Sequence, residues 1–185
     1  MRVITGVARG RRLETLPGEV TRPTGEKVKE SLFSAIQFDI EGRKVLDLFA
    51  GSGQLGIEAL SRGAKGCIFV DKNTEAVQII KRNLQHTGLM QKAQVLGTDA
   101  LTYLNRSGDR FDLVFLDPPY AAELLEPALN KVAPLVNDGG ILICETDDTA
   151  ELPSQVDRFA VSRIYKFGHV RVWLYRYDPD EEVGA

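Results

Sequence analysis

From about residue 43 onward, short apolar runs alternate with segments of helical period, and no other feature restricts the fold as much. The runs are "KVLDLF", "CIFVD", "AQVLG", "DLVFLD" and "GILICE". Between them lie expected helices near 54–62, 74–87, 98–105 and 122–136. In "TEAVQIIKRNLQHTGL", Ala76, Ile79, Ile80 and Leu84 share one helical face, and Gly88 supplies a stop. Strands that are apolar nearly throughout have both faces buried. Helices between them supply the cover, so the pattern predicts a parallel sheet with helices on both sides.

The two ends of the chain depart from this rhythm. "RFAVSRIYKF" and "HVRVWLYRY" are separated by little more than Gly168. A parallel return needs a long crossover, so this connection predicts an antiparallel hairpin. At the front, residues 1–20 read as short strands with turns at Gly10 and Pro17-Gly18. Residues 24–37 read as a helix capped by Thr24, with Val28, Leu32, Phe33, Ala35 and Ile36 on its apolar side. The expected organisation is an extension over 1–40, an α/β domain over 41–177 and an acidic tail, expected to be disordered, over 178–185.

A chain of 185 residues suits one such domain. It has no apolar run of membrane-spanning length, and "MRVITGVARGRRLE" lacks the apolar stretch of a secretory signal. Cys67 and Cys144 lie far apart inside apolar runs, which predicts buried free thiols rather than a metal site, and a cytosolic location follows by default. The net charge of −3 gives no global sign of a polyanionic partner. Its distribution is more informative. Arg2, Arg9, Arg11 and Arg12 occupy an N-terminal stretch without acids, and Arg158 to Tyr177 holds five basic residues and no acid. Such clusters fit a solvated face or phosphate contacts.

Gly51, Gly53 and Gly56 in "VLDLFAGSGQLGIEAL" follow the first strand and open a helix. Glycine there permits a sharp turn and close approach to a ligand. Asp71 ends the next strand, where a carboxylate accepts hydrogen bonds from ribose hydroxyls. An NAD site and an S-adenosylmethionine site share these features. Three details favour the second. Asp47 lies four residues before Gly51, where it would attract a cationic methionine end and repel a pyrophosphate. The C-terminal hairpin is the variant of this fold that methyltransferases use. Finally, Asp99 and the backbone of Ala100 in "GTDA" are placed to bond an adenine edge.

The fourth run ends in "DPPY". Neither proline can donate a ladder hydrogen bond, so the strand must stop there. An exocyclic amine is a poor nucleophile while its lone pair is delocalised into the ring. Two acceptors on its two N–H bonds favour a localised lone pair. Asp117 offers a carboxylate and Pro118 a carbonyl, pre-aimed by fixed φ values. Tyr120 can stack on the base, a contact contributing about 1–3 kcal/mol.

"DLFAGSG", "FVDKN", "GTDA" and "FLDPPY" resemble, in order, the cofactor and catalytic motifs of class I methyltransferases acting on exocyclic amines. "MRVITGVARGRRLETLPG", "TRPTGEKVKESLFSAI" and "LSRGA" more narrowly resemble the RsmD family, bacterial enzymes that methylate N2 of a guanine in 16S rRNA. The likeness runs from Met1 to about Tyr177. It implies a Rossmann-like class I methyltransferase fold: a mostly parallel seven-stranded sheet with an antiparallel C-terminal strand, helices on both faces, and a small N-terminal β-hairpin and helix. It implies S-adenosylmethionine as donor, no metal, and the small ribosomal subunit or its assembly intermediate as partner of a monomer. It implies cofactor contacts from Asp47, Phe49, Ala50, Gly51, Gly53, Asp71, Lys72, Asp99, Ala100 and Asp117. Asp117, Pro118 and Tyr120 would be catalytic, with Arg2, Arg9, Arg11, Arg12, Arg22, Thr24 and Pro119 towards RNA. One stretch departs: "FGHVRV" carries His169 and Val170 where the family often reads "YGDT". DNA adenine and protein glutamine methyltransferases share DPPY-like motifs and remain alternative readings. So does a non-catalytic RNA-binding assembly factor.

Overall fold

The computed structural model describes residues 1–18, 23–119 and 121–179. In chain order the elements are α1 (Pro23–Ala35), β1 (Lys44–Leu48), α2 (Gln54–Ser61), β2 (Gly66–Asp71), α3 (Thr74–Thr87), β3 (Ala93–Gly97), α4 (Ala100–Arg106), β4 (Phe111–Leu116), α5 (Ala121–Val132), β5 (Val136–Asp147), β6 (Gln155–Val156), β7 (Phe159–Phe167) and β8 (Val170–Tyr177). One sheet runs in the order β3-β2-β1-β4-β5-β8-β7-β6. β1 to β5 pair in parallel; β8 joins β5 antiparallel and forms the C-terminal hairpin with β7. The expected seven strands are all present. An eighth, β6, is a two-residue addition beside β7, too short to register as an apolar pattern.

Alternation along the strands sorts the core into two layers. Leu113 and Phe115 of β4, Ile141 and Ile143 of β5, and Val172 and Leu174 of β8 face a layer built with α1, α2 and α3. Val114, Leu116, Leu142, Cys144, Trp173 and Tyr175 face the opposite layer, with Leu104 of α4 and Leu125 and Leu129 of α5. Cys67 and Cys144 are buried free thiols. Among the described residues no helix is long and apolar enough to cross a membrane.

The N-terminal segment differs from its expected form. Within residues 1–18 the expected short strands reduce to one antiparallel bridge, Arg2 to Arg12. Three backbone bonds close the loop: Val3 N–H to Arg11 O (3.0 Å), Gly10 N–H to Val3 O (2.8 Å) and Leu13 N–H to Met1 O (2.9 Å). Helix capping by Thr24 is also corrected, because α1 begins one residue earlier, at Pro23. Proline suits a first helical position, where its missing N–H would be unpaired anyway. Val3, Ala8 and Leu13 insert into the same buried layer as α1, α2 and α3.

A buried carboxylate anchors this segment. Glu58, on α2, is 0% exposed and accepts hydrogen bonds from the Ile4 and Thr5 N–H groups at 2.8 and 3.0 Å. Lys29 Nζ lies 3.1 Å away and Arg62 Nε 2.9 Å away. Burial pulls the Lys29 pKa down and the Glu58 charge opposes that pull. Ser61 adds its hydroxyl, which accepts from Ala8 N–H (3.0 Å) and donates to Thr5 O (2.7 Å). Gly6 has φ +89°, and a Cβ there would overlap the Ser61 carbonyl.

Candidate active site

The chain runs outward from β1 through β2 to β3, then returns through α4 to β4 on the other side of β1. Crossovers leave β1 and β4 in opposite directions, so a crevice opens at their carboxyl ends. A cavity of about 480 Å³ lies there. Four acids at the carboxyl ends of four adjacent strands face it: Asp99 just after β3, Asp71 on β2, Asp47 on β1 and Asp117 just after β4.

The turn after β1 is tightly wound. Phe49, Gly51 and Gly53 all have positive φ, at 65°, 55° and 78°. For Phe49 that left-handed conformation costs on the order of 1–3 kcal/mol, and such strain concentrates at functional sites. Gly53 N–H donates to Ala50 O at 2.7 Å, and Gly53 caps α2. Gly56 sits where α2 crosses the sheet, and a Cβ there would overlap the Phe69 ring and crowd Cys67 Sγ. Close approach of helix to strand lets Gly56 N–H donate to Asp47 Oδ2 at 2.9 Å.

The two carboxylates flanking this turn differ. Asp71 is partly exposed and oriented by the chain itself: Gly51 N–H donates to one oxygen and Asn73 N–H to the other, both at 2.8 Å. Each oxygen keeps a second acceptor site for a ligand. Asp47 is 2% exposed. Burial pushes its pKa up to about 7, the Gly56 N–H holds it down somewhat, and the Asp71 charge adds to the rise. Asp99 caps α4, its side chain accepting from Thr102 N–H at 2.9 Å, and still lines the cavity.

Most of the cofactor candidates converge here. Asp47, Phe49, Ala50, Gly51, Asp71, Lys72, Asp99, Ala100 and Asp117 all line the cavity, as does Pro119, the candidate assigned to RNA. Gly53 lies behind the wall, against Ile80 and Phe69, and Pro118 is buried. Arg2, Arg9, Arg11 and Arg12 are exposed on the N-terminal segment, and Arg11 donates to His86 O at 3.3 Å. Tyr120, Arg22 and the side chain of Thr24 lie outside the described residues.

Sequence reasoning missed several wall residues. Leu16 reaches the cavity two residues after Glu14, which is pinned to α3. Glu14 N–H donates to Asn83 Oδ1 (2.8 Å), Asn83 Nδ2 donates to Glu14 O (3.0 Å), and Arg82 pairs with the Glu14 carboxylate (2.8 Å). Ser52, Gln54, Leu55, Asn73 and Leu124 also line it. For Ser52 and Gln54 the signal was their place inside the glycine motif. Leu16 and Leu124 carried none, being apolar residues that read as core. The divergent turn residue His169 is exposed and lies 3.1 Å from Asp148.

The family described as Conserved hypothetical protein 95 matches residues 1–176. The chain is 42% identical to YlbH of Bacillus subtilis over 181 residues, covering 95% of this chain and 98% of that one. It is 32% identical to Ribosomal RNA small subunit methyltransferase D of Escherichia coli, covering all of this chain and 94% of that one. The solved structure of yhhF from Escherichia coli superposes with a TM-score of 0.87 at 31% identity, covering 96% of this chain and 98% of that one. The crevice at the β1–β4 switch, the glycine turn and the full-length match together place the chain in the RsmD family of methyltransferases.

Proposed function

We propose that the protein transfers a methyl group from S-adenosylmethionine to the exocyclic N2 of a guanine in 16S rRNA of the small ribosomal subunit. The observation that carries this reading is the position of Asp47. In a dinucleotide site the first turn of the helix after the glycine motif offers its N–H groups to a pyrophosphate. Here Asp47 accepts the Gly56 N–H and brings a buried carboxyl to the cavity floor. That arrangement repels an anion and suits the ammonium of an amino-acid end. Other groups fit the same ligand. Asp71 is pre-oriented to accept from vicinal hydroxyls, and the Ala100 N–H and Asp99 flank the β3 end where an adenine would lie.

S-adenosylmethionine supplies an electrophilic methyl on a sulfonium. The chain's own residues position the nucleophile. Asp117 accepts one N–H of the guanine amine and the Pro118 carbonyl accepts the other, so the lone pair localises on nitrogen. With the donor bound, methyl transfer would form the N–C bond as the S–C bond breaks, releasing S-adenosylhomocysteine, and the amine proton, acidic only after that transfer, would pass to the Asp117 carboxylate and on to solvent. Asp117 therefore holds the amine rather than deprotonating it beforehand. Tyr120, which lies outside the described residues, would stack on the base. Alignment of this kind is worth up to about 7–11 kcal/mol of barrier. The exposed arginines of the N-terminal segment engage phosphates, and the target base leaves its stack most cheaply from a loop.

Calorimetry with S-adenosylhomocysteine and NAD, followed by incubation with labelled S-adenosylmethionine, tests the reading. Binding of S-adenosylhomocysteine alone, with label passing to unmodified small subunits, is the expected result. Label in DNA or in a release-factor glutamine would move the chemistry to another substrate. Binding of NAD would end the reading altogether.

A further inference from the structure

We infer that Arg163, Tyr165 and Phe167 of β7 form a docking surface for unpaired nucleotides of the RNA substrate, the two rings stacking on bases and the cation meeting a phosphate. This inference rests on the proposed rRNA substrate. The three residues alternate along β7 and pair across the ladder with Leu174, Val172 and Val170. They therefore share one face of the sheet, the face that carries Val172 and Leu174. Tyr165 and Phe167 lie over that buried layer and stay partly exposed. Their rings are nearly parallel, with 13° between the planes and 6.4 Å between centroids. The guanidinium of exposed Arg163 lies 5.1 Å from the Tyr165 ring centroid. β6 pairs only with Phe159 and Ala160, so among the described residues this half of β7 is a free sheet edge.

The charges identify the occupant. Arg158 to Tyr177 holds five basic residues and no acid. Three of the five have structural partners: Arg158 pairs with Asp138, Arg171 with Glu151 and Arg176 with Asp39. The other two, Arg163 and Lys166, are exposed and pair with no carboxylate among the described residues. Free cations beside two flat apolar rings suit a polyanion that also carries π faces, which is single-stranded nucleic acid. The position fits the same partner. β5 runs parallel to β4, and Asp147 at the carboxyl end of β5 pairs with Val170, which pairs with Phe167. Phe167 thus stands on the same rim of the sheet as Asp117. It is three strands away, about 14 Å at the usual strand spacing. A guanine held at Asp117 brings its flanking nucleotides to this rim, and the row from Phe167 to Arg163 leads them away down the edge.

The test is steady-state methylation of unmodified small subunits by wild type and variants, together with ultraviolet crosslinking of the wild-type complex. Tyr165→Leu and Phe167→Leu keep the apolar cover and remove the stacking face. Each should raise KM for the subunit about tenfold and leave kcat within about twofold. Tyr165→Phe keeps the ring and should behave as wild type. Arg163→Gln should lower the salt slope of subunit binding by about one unit. S-adenosylhomocysteine affinity should be unchanged in all four. The crosslink should join an rRNA nucleotide to Tyr165 or Phe167. An unchanged KM in both Leu variants would reduce the rings to core cover and overturn the inference. So would a fall in kcat or in S-adenosylhomocysteine affinity in place of the KM rise, or a loss in Tyr165→Phe equal to that in Tyr165→Leu. A crosslink from this edge to a ribosomal protein would give the surface to a protein partner and overturn it too. If the Leu variants do not fold, an unchanged salt slope in Arg163→Gln with no crosslink to either ring overturns the inference. Wild type that methylates no subunit refutes the rRNA reading itself, a result distinct from the others.

Discussion

Replacing Asp47 by asparagine should stabilise the protein and weaken cofactor binding at once. Asparagine keeps an oxygen for the Gly56 N–H but carries no charge. The folded protein raises the Asp47 pKa from 3.8 to about 7. Between those values the folded state keeps a proton that the unfolded state has lost, so stability falls as pH rises through that window. The full stabilising contribution of the protonated form is present below 3.8 and is gone above about 7. At about 1.36 kcal/mol per pKa step, the charged form costs the fold roughly 4 kcal/mol at pH 8. Asp47→Asn should therefore raise the unfolding free energy at pH 8 by up to about 4 kcal/mol. The gain should shrink towards pH 4. Urea unfolding at pH 5, 6, 7 and 8 measures it. S-adenosylhomocysteine should show the opposite preference. Its ammonium favours ionised Asp47, so binding to wild type expels a proton below about pH 7. Wild-type affinity should fall about tenfold between pH 8 and pH 6, while the variant binds weakly without this slope. A variant no more stable than wild type at pH 8, with unchanged affinity, would refute the assignment of a buried, ligand-directed carboxyl.

Gly56→Ala should cost about 1–3 kcal/mol in urea unfolding, because its Cβ meets the Phe69 ring and Cys67 sulfur where α2 packs on β2. Glu58→Ala strands Lys29, 2% exposed, without its buried counter-charge and should cost about 3–5 kcal/mol. It should also make the first residues more susceptible to limited proteolysis. Asp117→Asn should keep S-adenosylhomocysteine binding and lower methyl transfer by about 100- to 1,000-fold in single-turnover assays. Each of Arg9→Ala and Arg12→Ala should reduce the salt dependence of RNA binding by about one unit of slope, if each meets one phosphate.

The parallel core was legible because its strands are buried on both faces, so apolar runs survive as runs. "AQVLG" coincides with β3, and the hairpin about Gly168 pairs as expected. The acids of the site were legible for a related reason: a charge at the end of an apolar run has few structural uses. The N-terminal segment was not. Its backbone bonds go to Glu58 and Ser61 on α2, more than fifty residues away, and only one bridge remains of the expected strands. Glu58 itself lies inside "LGIEALS", where a lone glutamate reads as a solvated helix residue. Its two cations and two backbone donors come from three other turns of chain and exist only in the folded protein. The strain at Phe49 was hidden because nothing in a phenylalanine announces a positive φ.

The most direct test is nucleoside analysis of small subunits after methylation by the pure protein. Unmodified subunits, labelled S-adenosylmethionine and wild-type enzyme should yield label in N2-methylguanosine from 16S rRNA, and Asp117→Asn should yield little. Label in any other nucleoside, or equal labelling by the Asp117→Asn variant, would contradict the account.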